Sequence, residues 1–310
     1  MQVSIQTKNL VKRFGDFTAV DHINLKIKKG EIYCLLGPNG AGKTTTIRMI
    51  CGLLGITEGD VLVNDVSIRD HPIEVKSFLG YMPQYHCLYE DLTVVENIRF
   101  YAKMFLMEEG LSERIREILD FVDLWEFRNQ LLGNLSGGMK QRASLACAMV
   151  HNPDIFILDE PTAGVDPVLR RSFWDYFKYL KKTGKTIFVT THYMDEAENA
   201  DWIDMMRDGK VIVSGDPAHI RRQLMKESMI KLTLSSVSNR ILTGLKELKT
   251  VESVDTLGRD IQIYTEDLEV CMRELIYWIA KEGLDVSSMS VSEPSLEDTF
   301  VHYARGEDGS

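Results

Sequence analysis

The sequence predicts an α/β domain built around a parallel sheet, followed by a smaller α+β domain. Apolar runs of strand length at residues 31–36, 155–158 and 186–190 are typical of buried parallel strands. A glycine-rich loop follows the first run and leads into residues 45–54, which carry apolar side chains at helical spacing. Beyond Pro217 the pattern changes. We therefore expect two domains, residues 1–220 and 221–310.

The remaining elements of the first domain follow from the same patterns. Strands are expected at 3–10, 19–27, 59–66, 203–206 and 211–213, and helical stretches at 94–132, 112–122 and 139–150. Asp208, Gly209 and Lys210 are typical of a tight hairpin turn between the last two strands.

The second domain alternates strands and helices in a recognisable order. Strands are expected at 229–234, 251–257, 261–264 and 286–291, and helices at 239–248 and 268–280. The order β-α-β-β-α-β is that of a ferredoxin-like arrangement. Ser295 is expected to cap a terminal helix after the last strand. No motif for chemistry occurs in this domain, so scaffold, dimer contact and regulation remain open roles.

The glycine-rich loop fits the pattern G-x-x-x-x-G-K-[ST] between a strand and a helix. Its glycines let backbone N–H groups close around an anion, and the following helix presents its positive end to the same phosphates. Lys43 is expected to reach the β- and γ-phosphates, and the Thr44 hydroxyl to ligate Mg²⁺. The predicted phosphate-binding residues are Gly37, Pro38, Asn39, Gly40, Ala41, Gly42, Lys43, Thr44 and Thr45.

Two carboxylates end the apolar run at 155–158. Asp159 lies where open α/β sheets bind ligands, and it is expected to hold Mg²⁺ directly or through water. Glu160 is then placed to polarise a water molecule for attack on the γ-phosphate. Together with the phosphate loop, these residues predict an enzyme that hydrolyses a nucleoside triphosphate.

A third segment, Leu-Ser-Gly-Gly-Met-Lys-Gln-Arg at residues 135–142, completes a resemblance. With it, residues 3–220 closely resemble the ATP-binding subunits of ABC transporters. The resemblance implies a P-loop NTPase fold with a RecA-like core, an antiparallel β subdomain and a helical subdomain at about 85–150. It also implies that two protomers pair head to tail, so that Ser136, Gly137 and Gly138 cap the ATP of the other protomer. These three residues begin a predicted helix and so form a second anion site.

The resemblance assigns four further residues. Phe14 matches the aromatic residue that stacks on adenine, although Phe17 is a competing candidate. Gln84 matches the glutamine that contacts Mg²⁺ and signals to the membrane subunit. Asp166 closes the segment that crosses the dimer, and His192 matches the histidine that contacts the γ-phosphate. Three of them could instead have a structural role: packing for Phe14, backbone capping for Gln84, a structural histidine for His192.

Two departures from the family pattern are visible. Met139 stands where many members carry Gln, and residues 163–166 read Ala-Gly-Val-Asp rather than Ser-Ala-Leu-Asp. The serine and both glycines that face phosphate are intact, so activity is not put in doubt. The ending at residues 294–300, Pro-Ser-Leu-Glu-Asp-Thr-Phe, resembles that of daunorubicin-resistance-type exporter ATPases.

Composition limits the class of protein. The chain has 310 residues, a hydrophobic content of 44% and a net charge of −10, so it lacks the basic excess suited to nucleic acid. It shows no apolar run of membrane-spanning length and no signal peptide at its start. Five cysteines without C-x-x-C spacing favour reduced thiols.

The resemblance implies a cytoplasmic subunit that lies on the inner face of the cell membrane. Its expected partners are integral membrane permease subunits and a second ATPase, identical (a homodimer) or related (a heterodimer). Two alternatives stay open: an ATPase acting on ribosomes, DNA or cluster assembly, and an importer subunit. The first lacks support, since the chain has one cassette and no long coiled coil. The ending at 294–300 argues against the second.

Overall fold

The computed structural model describes residues 2–85, 87–105, 107, 109–224, 228–235, 237–258, 260–265 and 267–292. The chain divides into two compact units, Met1–Pro217 and Ala218–Ser310. None of the described helices combines the length and apolar character that crossing a bilayer demands.

The first unit is an α/β domain with two sheets. In chain order its elements are β1 (Val3–Phe14), β2 (Phe17–Ile23), β3 (Lys26–Lys28), β4 (Ile32–Leu36), α1 (Lys43–Ile50), β5 (Glu58–Val63), β6 (Val66–Ser67), α2 (Pro72–Phe78), β7 (Leu79–Met82), α3 (Val94–Met104), α4 (Leu111–Phe121), α5 (Gly137–Met149), β8 (Ile155–Asp159), α6 (Pro167–Lys182), β9 (Thr186–Thr191), α7 (Met194–Ala197), β10 (Trp202–Arg207) and β11 (Lys210–Gly215).

The central sheet has the strand order β11-β10-β4-β9-β8-β7. Strands β10, β4, β9, β8 and β7 are parallel, and β11 pairs antiparallel with β10. Every residue of β4, β8 and β9 is buried, as their continuous apolar sequences predicted. Because parallel strands end at the same sheet edge, the segments after β4, β7, β8 and β9 come together there.

The second sheet is antiparallel and contains β1, β2, β3, β5 and β6. The single strand expected at 19–27 is divided into β2 and β3. At the break, His22 has a φ of 51°, and the Asn24 side chain donates to the carbonyl of His22 at 3.0 Å. Strand β1 continues to Phe14, beyond the predicted end at residue 10, and Phe14 pairs with Phe17 across the turn.

One apolar core joins the two sheets to α1. It includes Ile5 and Val61 of the antiparallel sheet, Ile47 of α1, and Leu35 and Ile157 of the central sheet, all fully buried. Full burial of each such side chain is worth roughly 1.5–3 kcal/mol. The helix after the phosphate loop is therefore fixed on both sides. This helix ends at Ile50, and the remaining residues of the predicted stretch, 51–54, form a turn.

The helices α3, α4 and α5 form the helical part of this unit. Thr93 and Glu96 make a reciprocal capping box at the start of α3, which fixes where that helix begins. The helical pattern expected over 94–132 is broken between α3 and α4, and short 3₁₀ turns follow at Trp125–Phe127 and Leu132–Asn134. Asp208 and Gly209, with φ of 48° and 78°, form the predicted hairpin turn between β10 and β11.

The second unit has a ferredoxin-like fold. After α8 (Pro217–Leu224), its elements are β12 (Ser228–Leu234), α9 (Asn239–Lys246), β13 (Ser253–Leu257), β14 (Asp260–Thr265), α10 (Leu268–Glu282) and β15 (Val286–Ser292). The strands pair antiparallel in the order β13-β14-β12-β15. Ile230, Ile263, Leu245 and Leu275 pack in its core. The terminal helix expected at Ser295 lies outside the described residues.

Candidate functional site

The phosphate loop joins β4 to α1 in a conformation that depends on glycine. Gly42 caps α1 with a φ of 102°, in the left-handed region. A Cβ atom at Gly42 would lie 2.4 Å from the carbonyl oxygen of Ala19, and one at Gly37 would lie 2.2 Å from that of Met206. Neither position has room for a side chain, and the loop leads into the start of α1, where the helix dipole favours an anion.

Lys43 lies under the loop rather than in solvent. Its Nζ donates to the carbonyl oxygens of Gly37 at 2.8 Å and Pro38 at 3.1 Å, and lies 3.2 Å from Glu160 Oε1. Both charged side chains are buried, at 4% and 5% exposure. Removing one partner of a buried ion pair leaves an uncompensated charge, so this pair fixes the loop against the end of β8.

Asp159 ends β8 and faces the first turn of α1. Its Oδ1 accepts hydrogen bonds from Thr190 Oγ1 at 2.7 Å and Thr44 Oγ1 at 3.2 Å. Burial raises the pKa of this carboxyl above its ordinary value, and the two hydroxyl groups oppose that rise. Among the described atoms, Asp159 Oδ2 is buried without a hydrogen-bond partner. A buried carboxylate oxygen without a donor fits a cation ligand.

These residues fit Mg²⁺ bound together with a phosphate. Within the described part of the chain, no three His, Cys, Asp or Glu side chains cluster to hold a metal ion. Mg²⁺ typically takes one or two carboxylates, several waters and phosphate oxygens rather than a cage of protein ligands. Asp159 and the Thr44 hydroxyl supply that kind of incomplete set.

Glu160 is the centre of the site. Its φ of 47° lies in the left-handed region, which is uncommon for a side chain of this size. The conformation is held by its N–H group, which donates to Thr190 O at 3.1 Å and Thr190 Oγ1 at 3.0 Å. Its Oε2 contacts Gln84 Nε2 and His192 Nδ1, each at 3.1 Å. The segments after β7, β8 and β9 thus meet at one carboxylate.

An open cavity of about 510 Å³ lies above the phosphate loop. Most of the residues that line it belong to the predicted site: Phe14, Asn39, Gly40, Gly42, Lys43, Thr44, Thr45, Gln84 and Glu160. Phe17, Ala19 and Tyr85 complete the lining. Phe14 and Phe17 both line it and are 50% and 65% exposed, so both are available for stacking. Lys12 Nζ lies 5.0 Å from the centre of the Phe14 ring.

Two predicted segments lie elsewhere. Ser136 caps α5 by accepting a hydrogen bond from Met139 N at 3.3 Å, and Ser136 and Gly137 are exposed. Asp166 caps α6 by accepting from Val168 N and Leu169 N, each at 3.0 Å. Of the described residues that line the cavity, none comes from either segment. The chain does not bring them to its own phosphate loop.

Sequence reasoning missed the supports of the site. Thr190 contacts both Asp159 and Glu160, and Glu196 receives hydrogen bonds from Thr162 and Thr191. The available signal was the pair of hydroxyl residues, Thr190 and Thr191, at the end of a buried strand. The partner of each hydroxyl depends on strand pairing, which the sequence pattern alone does not supply.

Two family models match the chain. Residues 20–163 match the family described as ABC transporter, and residues 215–304 match the C-terminal domain of "ATP-binding protein DrrA1-3-like". The first match contains the phosphate loop, the signature segment 135–142 and both carboxylates. The second covers the ferredoxin-like unit.

Among curated relatives, the linearmycin resistance ATP-binding protein LnrL of Bacillus subtilis is 35% identical over 302 residues, which is 96% of this chain and 97% of LnrL. The probable multidrug ABC transporter ATP-binding protein YbhF of Escherichia coli is 44% identical over 71% of this chain. That match spans only 38% of YbhF.

Solved ABC cassettes share the fold. An ATP-binding cassette of an ABC transporter in its ADP conformation aligns with a TM-score of 0.65 at 29% identity, over 71% of this chain and 93% of that one. A dimeric cassette in a post-hydrolysis state, bound to ADP and Pi, aligns with a TM-score of 0.63 at 29% identity, over 68% of this chain and 98% of that one.

Proposed function

The chain belongs to the ATP-binding proteins of ABC transporters, and we propose that it hydrolyses ATP to drive export through a separate membrane protein. The observation that carries the proposal is the position of Glu160. This buried carboxylate lies within 3.2 Å of Lys43 Nζ and within 3.1 Å of Gln84 and His192. It therefore faces both the phosphate loop and the two polar side chains that a γ-phosphate would approach.

Each residue has a distinct part in this reaction. The N–H groups of the phosphate loop and the Lys43 ammonium bind the β- and γ-phosphates. Glu160 orients a water molecule for attack in line with the bond that breaks, and His192 donates to the γ-phosphate. Positioning and charge stabilisation supply most of the rate enhancement in phosphoryl transfer, so a rigid arrangement suits the task.

Mg²⁺ would be held by the Thr44 hydroxyl, Asp159 and Gln84. When bound, it would neutralise charge that develops on the phosphate oxygens. The residues of this chain have a separate effect: Asp159 accepts a hydrogen bond from Thr44 and Glu160 pairs with Lys43, and these contacts hold the end of β8 against α1.

The second half of each ATP site comes from another protomer in this proposal. Ser136 and Gly137 are exposed at the start of α5 and lie away from the cavity of their own chain. They have the backbone geometry of an anion site at a helix N-terminus. A head-to-tail pair of chains, identical or related, would bring this segment over the partner's phosphate loop, with ATP between them.

Export is supported by the relatives. The names of LnrL and YbhF refer to linearmycin resistance and multidrug transport, and another relative is named a Nod factor export ATP-binding protein. We place the chain on the cytoplasmic face of the membrane, bound to permease subunits. The cargo would contact the permease rather than this chain.

A mainly apolar groove in the first unit supports a membrane permease as the partner. It has a volume of about 320 Å³ and is mainly apolar, with Leu53 and Met104 57% and 61% exposed at its rim. Leu79 and Tyr81 of β7 form part of its wall. A cytoplasmic apolar segment of the permease seated there would touch the strand that leads to Gln84, and so could influence the site.

Hydrolysis by the Glu160→Gln variant tests the proposal. Gln keeps the size of the side chain but cannot act as a base, so we expect phosphate release to fall by about 100-fold or more while ATP binding persists. Phosphate release is measured on purified protein with MgATP, and binding is measured separately with a fluorescent ATP analogue. Equal hydrolysis by wild type and variant would contradict the role of Glu160.

A further inference from the structure

Glu196 is a buried carboxylate to which the proposed reaction assigns no part. It lies in the short helix α7, is 1% exposed, and is not among the residues that line the phosphate cavity. Its Oε2 accepts a hydrogen bond from Thr191 Oγ1 at 2.8 Å, and its Oε1 accepts one from Thr162 Oγ1 at 2.6 Å. Burial of a carboxylate is costly unless its partners compensate, and here both oxygens are engaged.

The two threonines belong to the two segments that flank the reactive residues. Thr191 directly precedes His192, and its carbonyl oxygen accepts the N–H of Gly37 at 3.2 Å. Thr162 lies two residues beyond Glu160, and its carbonyl oxygen accepts the N–H of Val165 at 3.2 Å. One carboxylate therefore joins the end of β9, directly before His192, to the segment after β8.

A further contact favours one direction for the hydrogen bond between Thr191 and Glu196. The N–H of Tyr193 donates to Thr191 Oγ1 at 3.0 Å, which leaves the hydroxyl proton of Thr191 to point at Glu196. Glu196 is thus an acceptor at that position. An amide in its place would direct an N–H group at one of the two hydroxyl groups that now donate to it.

Arg170 of α6 supplies the compensating charge. Its Nε lies 3.2 Å from Glu196 Oε1, and its guanidinium lies 4.3 Å from the centre of the Tyr193 ring. It also lies 3.5 Å from Asp195, whose side chain is 72% exposed. The same cation therefore faces one buried and one exposed carboxylate on neighbouring residues, which provides a matched control.

We propose that Glu196 is a positioning residue for ATP hydrolysis, holding the segments of His192 and Glu160 in one arrangement through Thr191 and Thr162. The role rests on the proposed function, because it concerns the geometry of that reaction. It leaves phosphate binding to the loop between β4 and α1. Loss of the carboxylate should therefore lower the rate of hydrolysis far more than the affinity for ATP.

The test compares Glu196→Gln with Asp195→Asn in the full chain. We expect kcat of Glu196→Gln to fall by about 10-fold or more, while the Kd for ATP changes by less than about threefold. Asp195→Asn should keep kcat within about twofold, because an exposed pair contributes little. Melting temperatures are measured in parallel, and kinetics are run where every variant is folded.

Thr162→Val keeps the test decisive if Glu196→Gln does not fold. It removes one hydroxyl from the carboxylate with little change in volume, and we expect it to lower kcat by about threefold or more at unchanged Kd for ATP. Wild-type kcat in the folded variants would overturn the proposal, as would kcat and ATP affinity falling together. Absence of hydrolysis by the wild type would instead overturn the proposed function, and this role with it.

Discussion

The phosphate loop and the signature segment 135–142 are both glycine-rich and both lead into a helix, yet they differ in burial. The loop before α1 is closed by its own chain: Lys43, Asp159 and Glu160 are buried around it, and α1 packs between two sheets. The signature segment is exposed at Ser136 and Gly137, where α5 begins. This difference is what the proposed dimer requires, with one half of a phosphate site enclosed by its own chain and the other half facing outward towards a second chain.

Mixing two inactive variants tests this difference through the largest expected effect. Lys43→Ala disables the phosphate loop, and Gly137→Asp places a negative charge where the signature segment would meet phosphate. A side chain at Gly137 meets nothing within 4 Å, so the fold should tolerate this change. Each variant alone should lose about 100-fold or more of its ATPase activity, because one half of both sites is defective.

The mixture should recover activity. A dimer with one chain of each kind contains one site with two defects and one site with none, so ATPase activity should return on mixing, up to about a quarter of the wild-type level for random pairing. Phosphate release is measured against the ratio of the two variants. Gly137→Ala is the control and should remain active. No recovery would indicate that each chain completes its own site.

Substitutions of the aromatic residues at the edge of the cavity are expected to have an intermediate effect, on the affinity for ATP. Phe14 and Phe17 both line it, and a base stacked on an aromatic ring is worth about 1–3 kcal/mol. We expect Phe14→Ala to weaken ATP binding by roughly 10-fold. Phe17→Ala should change it by less than about twofold. Affinities for ATP and inorganic triphosphate are compared by titration, and the reverse order of effects would assign stacking to Phe17.

The sequence predicted the phosphate loop and the two carboxylates because each lies in a short contiguous pattern. It could not choose between Phe14 and Phe17, because strand register pairs them across one turn and exposes both. It also missed the contacts of Thr190 and Glu196, since these join residues of different strands and helices. The start of a helix at Ser136 was predictable from the sequence. That this helix start lies away from the cavity could be seen only in the folded chain.

The smallest expected effect is that of Asp159→Asn on the thermal stability of the chain. Burial raises the pKa of Asp159, so the folded chain keeps this proton to a higher pH than the unfolded chain does. The stability contributed by that proton is complete below the ordinary carboxyl pKa and is lost as the pH rises through the raised value. Asp159→Asn has no such dependence. We expect it to melt about 2–4 °C above wild type at pH 8, for roughly 1 kcal/mol.

The difference in melting temperature should shrink as the pH falls through the raised pKa of Asp159, because the folded chain then takes up this proton. Thermal unfolding of nucleotide-free protein at several pH values measures it. The variant should in turn lose the stabilisation that wild type gains from MgATP. A variant less stable than wild type at pH 8 would show that burial of the Asp159 carboxylate does not destabilise the folded chain.

The claim that the working unit contains two chains is tested most directly by the mass of Glu160→Gln in solution. Static light scattering after size exclusion gives this mass with and without ATP and Mg²⁺. We predict the mass of one chain without nucleotide and twice that mass with it, because ATP held between two half-sites is not hydrolysed. The mass of one chain under both conditions, with hydrolysis unimpaired, would contradict the account.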